Sequence, residues 1–102
     1  MKPLLILAEA EVELWDAVDF YESKLEGLGL DFEEEISEAF ETILDAPTRW
    51  PKENDKSRKY LLKRFPYAIH YFETDEAIWV VAIAHQRRKP GFWRSRLITP
   101  EK

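Results

Sequence analysis

Cysteine is absent from this chain of 102 residues, so disulfides and thiolate metal sites are excluded outright. Glycine is scarce, with 3 residues, and none lies in a glycine-rich loop of the kind that cradles phosphates. Long apolar runs are missing too. The longest, residues 3–8 and 77–84, are far too short to span a bilayer. Met1-Lys2 and the apolar run behind it resemble a clipped signal peptide, but Glu9, Glu11 and Glu13 follow at once, which favours a strand. No Ser-His-Asp order and no acid pair presents itself. The two histidines, His70 and His85, have no carboxylate at ligand spacing, so neither a metal nor another cofactor is expected. These absences, with no membrane segment, predict a cytoplasmic protein.

What is present is an apolar fraction of 45% with 14% aromatics, enough to pack a core and too much for a disordered chain. The length suits one domain, residues 1–102. Charge is strongly segregated. Residues 56–102 hold 11 Lys/Arg against 4 Asp/Glu, a balance of +7, while residues 1–55 hold 4 against 16, a balance of −12. The formal net charge of −5 therefore hides a basic half, for which a negatively charged partner is the first expectation.

The pattern predicts β-α-α-β-β-β, an α+β sandwich with two antiparallel helices on one face of a small antiparallel sheet. Leu4 to Leu7 reads as a strand covered on both faces. Residues 8–26 take helical period, with Leu14, Val18, Tyr21 and Leu25 as the buried stripe, widened by Val12 and Trp15. Gly27 and Gly29 end this helix. Asp31 is the expected N-cap of a second, with Glu34 completing a capping box. Phe32, Ile36, Phe40 and Ile43 form its stripe, and Pro47 closes it. Glu33, Glu34, Glu35, Glu38 and Glu41 read as its wet face, and Glu22 and Glu26 as that of helix one. Beyond a polar connection, residues 58–64 alternate as a strand, Phe65-Pro66 punctuates, and residues 67–73 form the next strand. Residues 77–84 are apolar throughout, as in a central strand.

Chemistry is sought among the cations. His85 ends the central strand beside Arg87, Arg88 and Lys89, a setting that suits a neutral imidazole acting as base. The competing reading is a rim histidine held by a backbone group. His70, in mid-strand among aromatics, reads as packing. Arg58, Lys59, Lys63 and Arg64 form one basic group, and Arg87, Arg88, Lys89, Arg94 and Arg96 another, with Phe92 and Trp93 interleaved. Cations beside exposed rings suit single-stranded RNA, and equally an acidic protein groove. Trp15, Trp50 and Trp79 read as core anchors; Trp93, outside the strands, reads as a platform.

Several phrases in this order resemble one family. They are Ala8-Glu9-Ala10-Glu11 running to Tyr21, Arg49-Trp50-Pro51, residues 60–69, and Ala84-His85-Gln86-Arg87-Arg88-Lys89-Pro90-Gly91-Phe92-Trp93. Together they resemble the RelE/ParE superfamily of toxins from bacterial type II toxin–antitoxin (plasmid stabilisation) systems. The resemblance implies a cognate antitoxin as partner, with operator DNA contacted only through the antitoxin complex. The resemblance implies one of two activities: RelE-like members cleave mRNA at the ribosome without a metal, whereas ParE-like members inhibit DNA gyrase and are not nucleases. A non-toxic interaction module of the same fold is the third reading. Under the first, which is slightly favoured, His85 is the candidate base, and Arg64 and Arg87 hold phosphate. Arg58, Lys59, Lys63, Arg88, Lys89, Phe92, Trp93 and Arg94 then bind the target. Ala68 departs from the pattern, because many nuclease members carry an arginine there.

Overall fold

The computed structural model describes residues 2–54 and 56–97. Strand β1 (Leu4–Ile6) leads into helices α1 (Ala8–Lys24) and α2 (Leu28–Asp45). Strands β2 (Arg58–Leu61), β3 (Tyr67–Glu73) and β4 (Ile78–His85) follow, and a 3-10 turn (Arg94–Leu97) ends the described chain. The class is α+β, as the pattern predicts. The sheet order is β1-β4-β3-β2, with β2, β3 and β4 antiparallel and β1 parallel to β4. The sheet is therefore mixed rather than purely antiparallel, because α1 carries the chain on along β4 and α2 returns it to the end of the sheet from which β1 starts. β4 is central, as its unbroken apolar run requires. β1 is an edge strand and not covered on both faces, with Leu5 39% exposed.

The helix hairpin departs from the expected stripes in an instructive way. α1 buries Ala10, Leu14 and Ala17, with Val18 and Tyr21 half-buried, whereas Val12, Trp15 and Leu25 are exposed. Alanines are weak in any hydrophobicity pattern, yet their small side chains let a helix approach its neighbours closely. Trp15, expected as a core anchor, is 43% exposed on the outer face. α2 begins at Leu28, so Asp31 lies in its first turn instead of capping it. The cap comes from the other helix: the Glu22 carboxylate accepts the N–H groups of Gly27 and Gly29 at 3.0–3.1 Å. Those donors have no intrahelical partner, and an anion there also suits the helix dipole. Gly27 takes φ 91°, and a Cβ on Gly29 would lie 2.7 Å from the Val18 carbonyl oxygen. The glycines thus set both the turn and the close crossing.

The main core lies between the hairpin and one sheet face. Phe32 stacks on Tyr21 at 5.4 Å and meets Phe65 and Tyr67 edge-on at 5.1 Å. Glu35, expected in the wet face of α2, is buried here. Its carboxylate accepts the N–H groups of Lys63 and Arg64, fixing the β2–β3 turn to the helix. Tyr71 is fully buried and donates its hydroxyl to the Pro47 carbonyl at 2.6 Å. Burial pushes the Tyr71 phenol up to about 12 from an ordinary value of 10.0. Folding therefore favours the neutral phenol. The stabilisation is complete below pH 10 and is lost as pH rises through about 12. Tyr71→Phe is expected to lose about 1–2 kcal/mol at pH 7 through the orphaned carbonyl. It should also make the alkaline limb of stability shallower, though not flat, since burial raises Tyr21 and Tyr67 as well. Urea melts at pH 8 and pH 11 measure both effects.

Candidate functional site

Strand register decides which side chains meet on the face away from the helices. Residues directly opposite one another in a sheet point to the same side. Lys59 pairs with His70 and Leu61 with Ala68, while Ala68 pairs with Ala84 and His70 with Ala82. All of these belong to the open face. Over it folds the C-terminal segment, where Trp93 packs on Val81 and Ala82 with Phe72, Phe92 and Leu97 around them. A groove of about 230 Å³ remains between this segment and the strands. The methyl groups of Ala68 and Ala84 provide its apolar floor; Leu61, Phe92 and Trp93 wall it; Lys59 and Arg88 supply cations.

The C-terminal segment is held down at two points. The Arg96 guanidinium meets the Glu13 carboxylate through both Nη atoms, at 3.1 and 2.9 Å, and donates to the Val81 carbonyl at 3.1 Å. Glu13 also accepts the Ile83 N–H at 3.0 Å, beyond the point where β1 stops pairing with β4. Arg96 is therefore an anchor and not a cation of the basic face. The second point is Trp93, only 5% exposed, whose indole lies flat on the His70 ring at 3.7 Å with a 27° tilt. Trp93 is thus a wall of the groove and not the free platform its position outside the strands suggests. Its Nε1 is buried with no hydrogen-bond partner among the described residues.

The expected site residues divide accordingly. Lys59, His85, Arg88, Phe92 and Trp93 line the groove. Arg88 stacks its guanidinium over the Phe92 ring at 3.9 Å. Arg64 turns toward α2: its Nε is 3.5 Å from Glu35 and its Nη2 donates to the Asp31 carbonyl at 3.3 Å. Arg58 donates to the Trp50 carbonyl at 2.7 Å. Lys63, Arg87, Lys89 and Arg94 are exposed and outside the groove. His85 pairs with Tyr67, so its side chain belongs to the helix-side parity and reaches the groove only at the strand's end. Its ring meets Tyr67 edge-on at 5.4 Å, and its Nδ1 accepts the Arg87 N–H at 3.0 Å.

Two titratable members of the groove lining, His70 and Glu53, were not picked out as site residues by the sequence. His70 is 5% exposed, and its Nδ1 lies 2.7 Å from Oε2 of Glu53, which comes from the polar connection before β2. The alternation of Ala68 and His70 against Ile69 and Tyr71 is the signal that places His70 on the open face. Nothing local marks Glu53 as its partner.

A family model described as the ParE toxin of the type II toxin–antitoxin system parDE matches residues 4–90. The chain belongs to the ParE toxin family. Among solved structures, this ParE toxin resembles a chain from the chromosomal ParDE TA system of P. aeruginosa, with a TM-score of 0.74 and 19% identity. The match covers 83% of this chain and 96% of that one. No curated protein matches. The shared fold agrees with the two helices on a four-stranded sheet, and membership in a toxin–antitoxin family implies an antitoxin partner for this ParE toxin. No described helix is long and apolar enough to cross a membrane.

Proposed function

We propose that this ParE-family chain is a growth-arresting toxin that cuts mRNA at the ribosome without a metal and is silenced by a cognate antitoxin. The observation that carries the reading is the groove itself. It sets Lys59 and Arg88 at the mouth of an apolar slot walled by aromatic rings, which suits a phosphate beside a stacked base. Ala68 removes the arginine that many nuclease members carry, and Arg88 supplies a guanidinium to the same groove from the chain beyond β4. Arg64 and Arg87, the other candidates for that task, lie outside it.

A second reading is non-enzymatic inhibition of DNA gyrase through the same face. It is favoured by the uncharged floor of Ala68 and Ala84 and by the turning of His85 toward Tyr67. Purified toxin added to a translating extract separates the two. Codon-phased mRNA ends are expected under cleavage; intact mRNA with loss of gyrase supercoiling would establish the second reading instead. Unimpaired growth on induction would overturn both.

A further inference from the structure

We infer that the free edge of β2 is a docking site for an extended, acidic segment of a partner protein. The inference goes beyond the readings above and holds whichever target the open-face groove meets.

β2 ends the sheet, so pairing with β3 satisfies only one of its edges. Leu62 donates to the Tyr67 carbonyl at 3.0 Å; residues 58, 60 and 62 therefore bond toward β3, and residues 59 and 61 point their backbone groups outward. The polar connection covers the first part of that outward edge. Lys52 bridges to Arg58, with the Lys59 N–H bonded to the Pro51 carbonyl at 3.2 Å and the Glu53 N–H to the Ser57 carbonyl at 3.0 Å. Coverage resumes at Lys63, whose N–H is taken by the Glu35 carboxylate. Between these points the Lys59 carbonyl and both backbone groups of Leu61 have no hydrogen-bond partner among the described residues.

Beside these three groups lies an apolar slot of about 260 Å³. Trp50 and Tyr60 form its body, their rings edge-on at 4.9 Å, and Pro51 and Leu61 complete it. Leu61 is 51% exposed, and the Trp50 Nε1 is buried without a partner among the described residues. Cations frame the slot. Lys59 and Lys63 line it, and the Arg49 guanidinium lies 5.5 Å from the Trp50 ring centre. Among the described residues no carboxylate lines it.

Lysines on a sheet edge also serve to keep edges from pairing. That role accounts for the charges and excludes a second copy, since two β2 edges side by side would set lysine against lysine. It does not account for an exposed leucine and an apolar slot beside unpaired backbone groups. Those are the parts of strand addition, in which backbone bonds give affinity and pockets for alternate side chains give specificity. The occupant is an extended segment that exchanges bonds with Leu61, sets an apolar side chain in the slot and carries carboxylates toward Lys59 and Lys63. Lys59 and Leu61 line the open-face groove as well, so an occupied edge also narrows access to that groove.

The test titrates the full chain with a short blocked peptide that alternates glutamate with leucine, and follows amide exchange by NMR. At about 100 times Kd the Leu61 amide should exchange up to roughly 100-fold more slowly, because exchange is then confined to the free fraction. Changing the peptide's central leucine to serine should weaken binding about 10–100-fold, the effect of one apolar side chain left in water. Lysine in place of glutamate should abolish binding. Leu61→Pro removes the outward N–H without touching the β3 ladder and should remove most of the affinity. Should that variant fail to fold by circular dichroism, Lys63→Glu gives the second reading, weaker for the glutamate peptide and tighter for the lysine one. No binding, equal binding of both peptides, or binding without protection at Leu61 overturns the inference. Protection of Leu61 that grows with protein concentration in the absence of peptide assigns the edge to a second copy and overturns it too.

Discussion

Glu13→Ala is expected to lower stability by on the order of 3 kcal/mol, although Glu13 lies on a helix remote in sequence from the groove. Its carboxylate holds three donors: the Ile83 N–H and both Nη atoms of Arg96. Truncation leaves a guanidinium whose side chain is only 16% exposed facing no counter-charge. An unpaired buried charge of this kind costs about 3–5 kcal/mol, and the orphaned N–H adds to it; the residual exposure argues for the low end. For a chain of this length the melting temperature should fall by roughly 10–20 °C. Faster hydrogen exchange at the Ile83 amide is the local signature. Arg96→Ala should be as damaging, and the two changes together less than additive, with a coupling of about 1–3 kcal/mol. A full, additive loss in the double variant would show that the pair is not the anchor. The functional consequence follows from the chain, since the segment that Arg96 holds carries Phe92 and Trp93. A Glu13 variant that remains folded should therefore act weakly on its target, with every cation of the groove still present.

Glu13 also shows where reading the sequence stops. β3 was legible to the residue and β4 to within one residue at each end, because their limits are set by local signals: Phe65-Pro66 before one and a polar turn between them. The helix hairpin was legible for the same reason. Three carboxylates were not. Glu13, Glu22 and Glu35 look like solvated helix charges, yet each accepts backbone N–H groups at an irregular point of the fold. Two of these partners lie 28 and 70 residues away, so that the contact depends on sheet register and not on spacing. The parallel pairing of β1 is hidden in the same way. So are His70 and Glu53, 17 residues apart, which meet only because β3 and the polar connection close over one another. Part of the acidic half is therefore structural wiring. Its carboxylates tie the hairpin to itself and to the sheet, while most of the basic half stays exposed.

That distinction sharpens the prediction for the cations. The sequence offered Arg64 and Arg87 as phosphate holders and Arg88 only as a contact. In the fold, Arg64 is engaged with Glu35 and the Asp31 carbonyl, Arg87 is exposed outside the groove, and Arg88 lines it. Under the RNA-cleavage proposal Arg88→Ala is expected to reduce the rate by about 10²–10³-fold, the range for loss of one preorganised transition-state contact. The magnitude is physically reasonable: a unit charge about 4 Å from a phosphate at an effective dielectric of 20 gives roughly 4 kcal/mol before desolvation. Arg88→Lys should recover only part of it, since an ammonium keeps the charge but loses the planar fork and its stacking on Phe92. Arg87→Ala should stay close to wild type. Salt separates steering from chemistry. If Arg88 only steers the target, its alanine variant slows association at low ionic strength, the deficit fades as salt rises, and cleavage of bound RNA is unchanged. If it stabilises the reacting phosphate, the deficit persists in single-turnover cleavage at high salt. Equal losses at Arg87 and Arg88 would mean that net positive charge near the groove matters, and not one guanidinium within it.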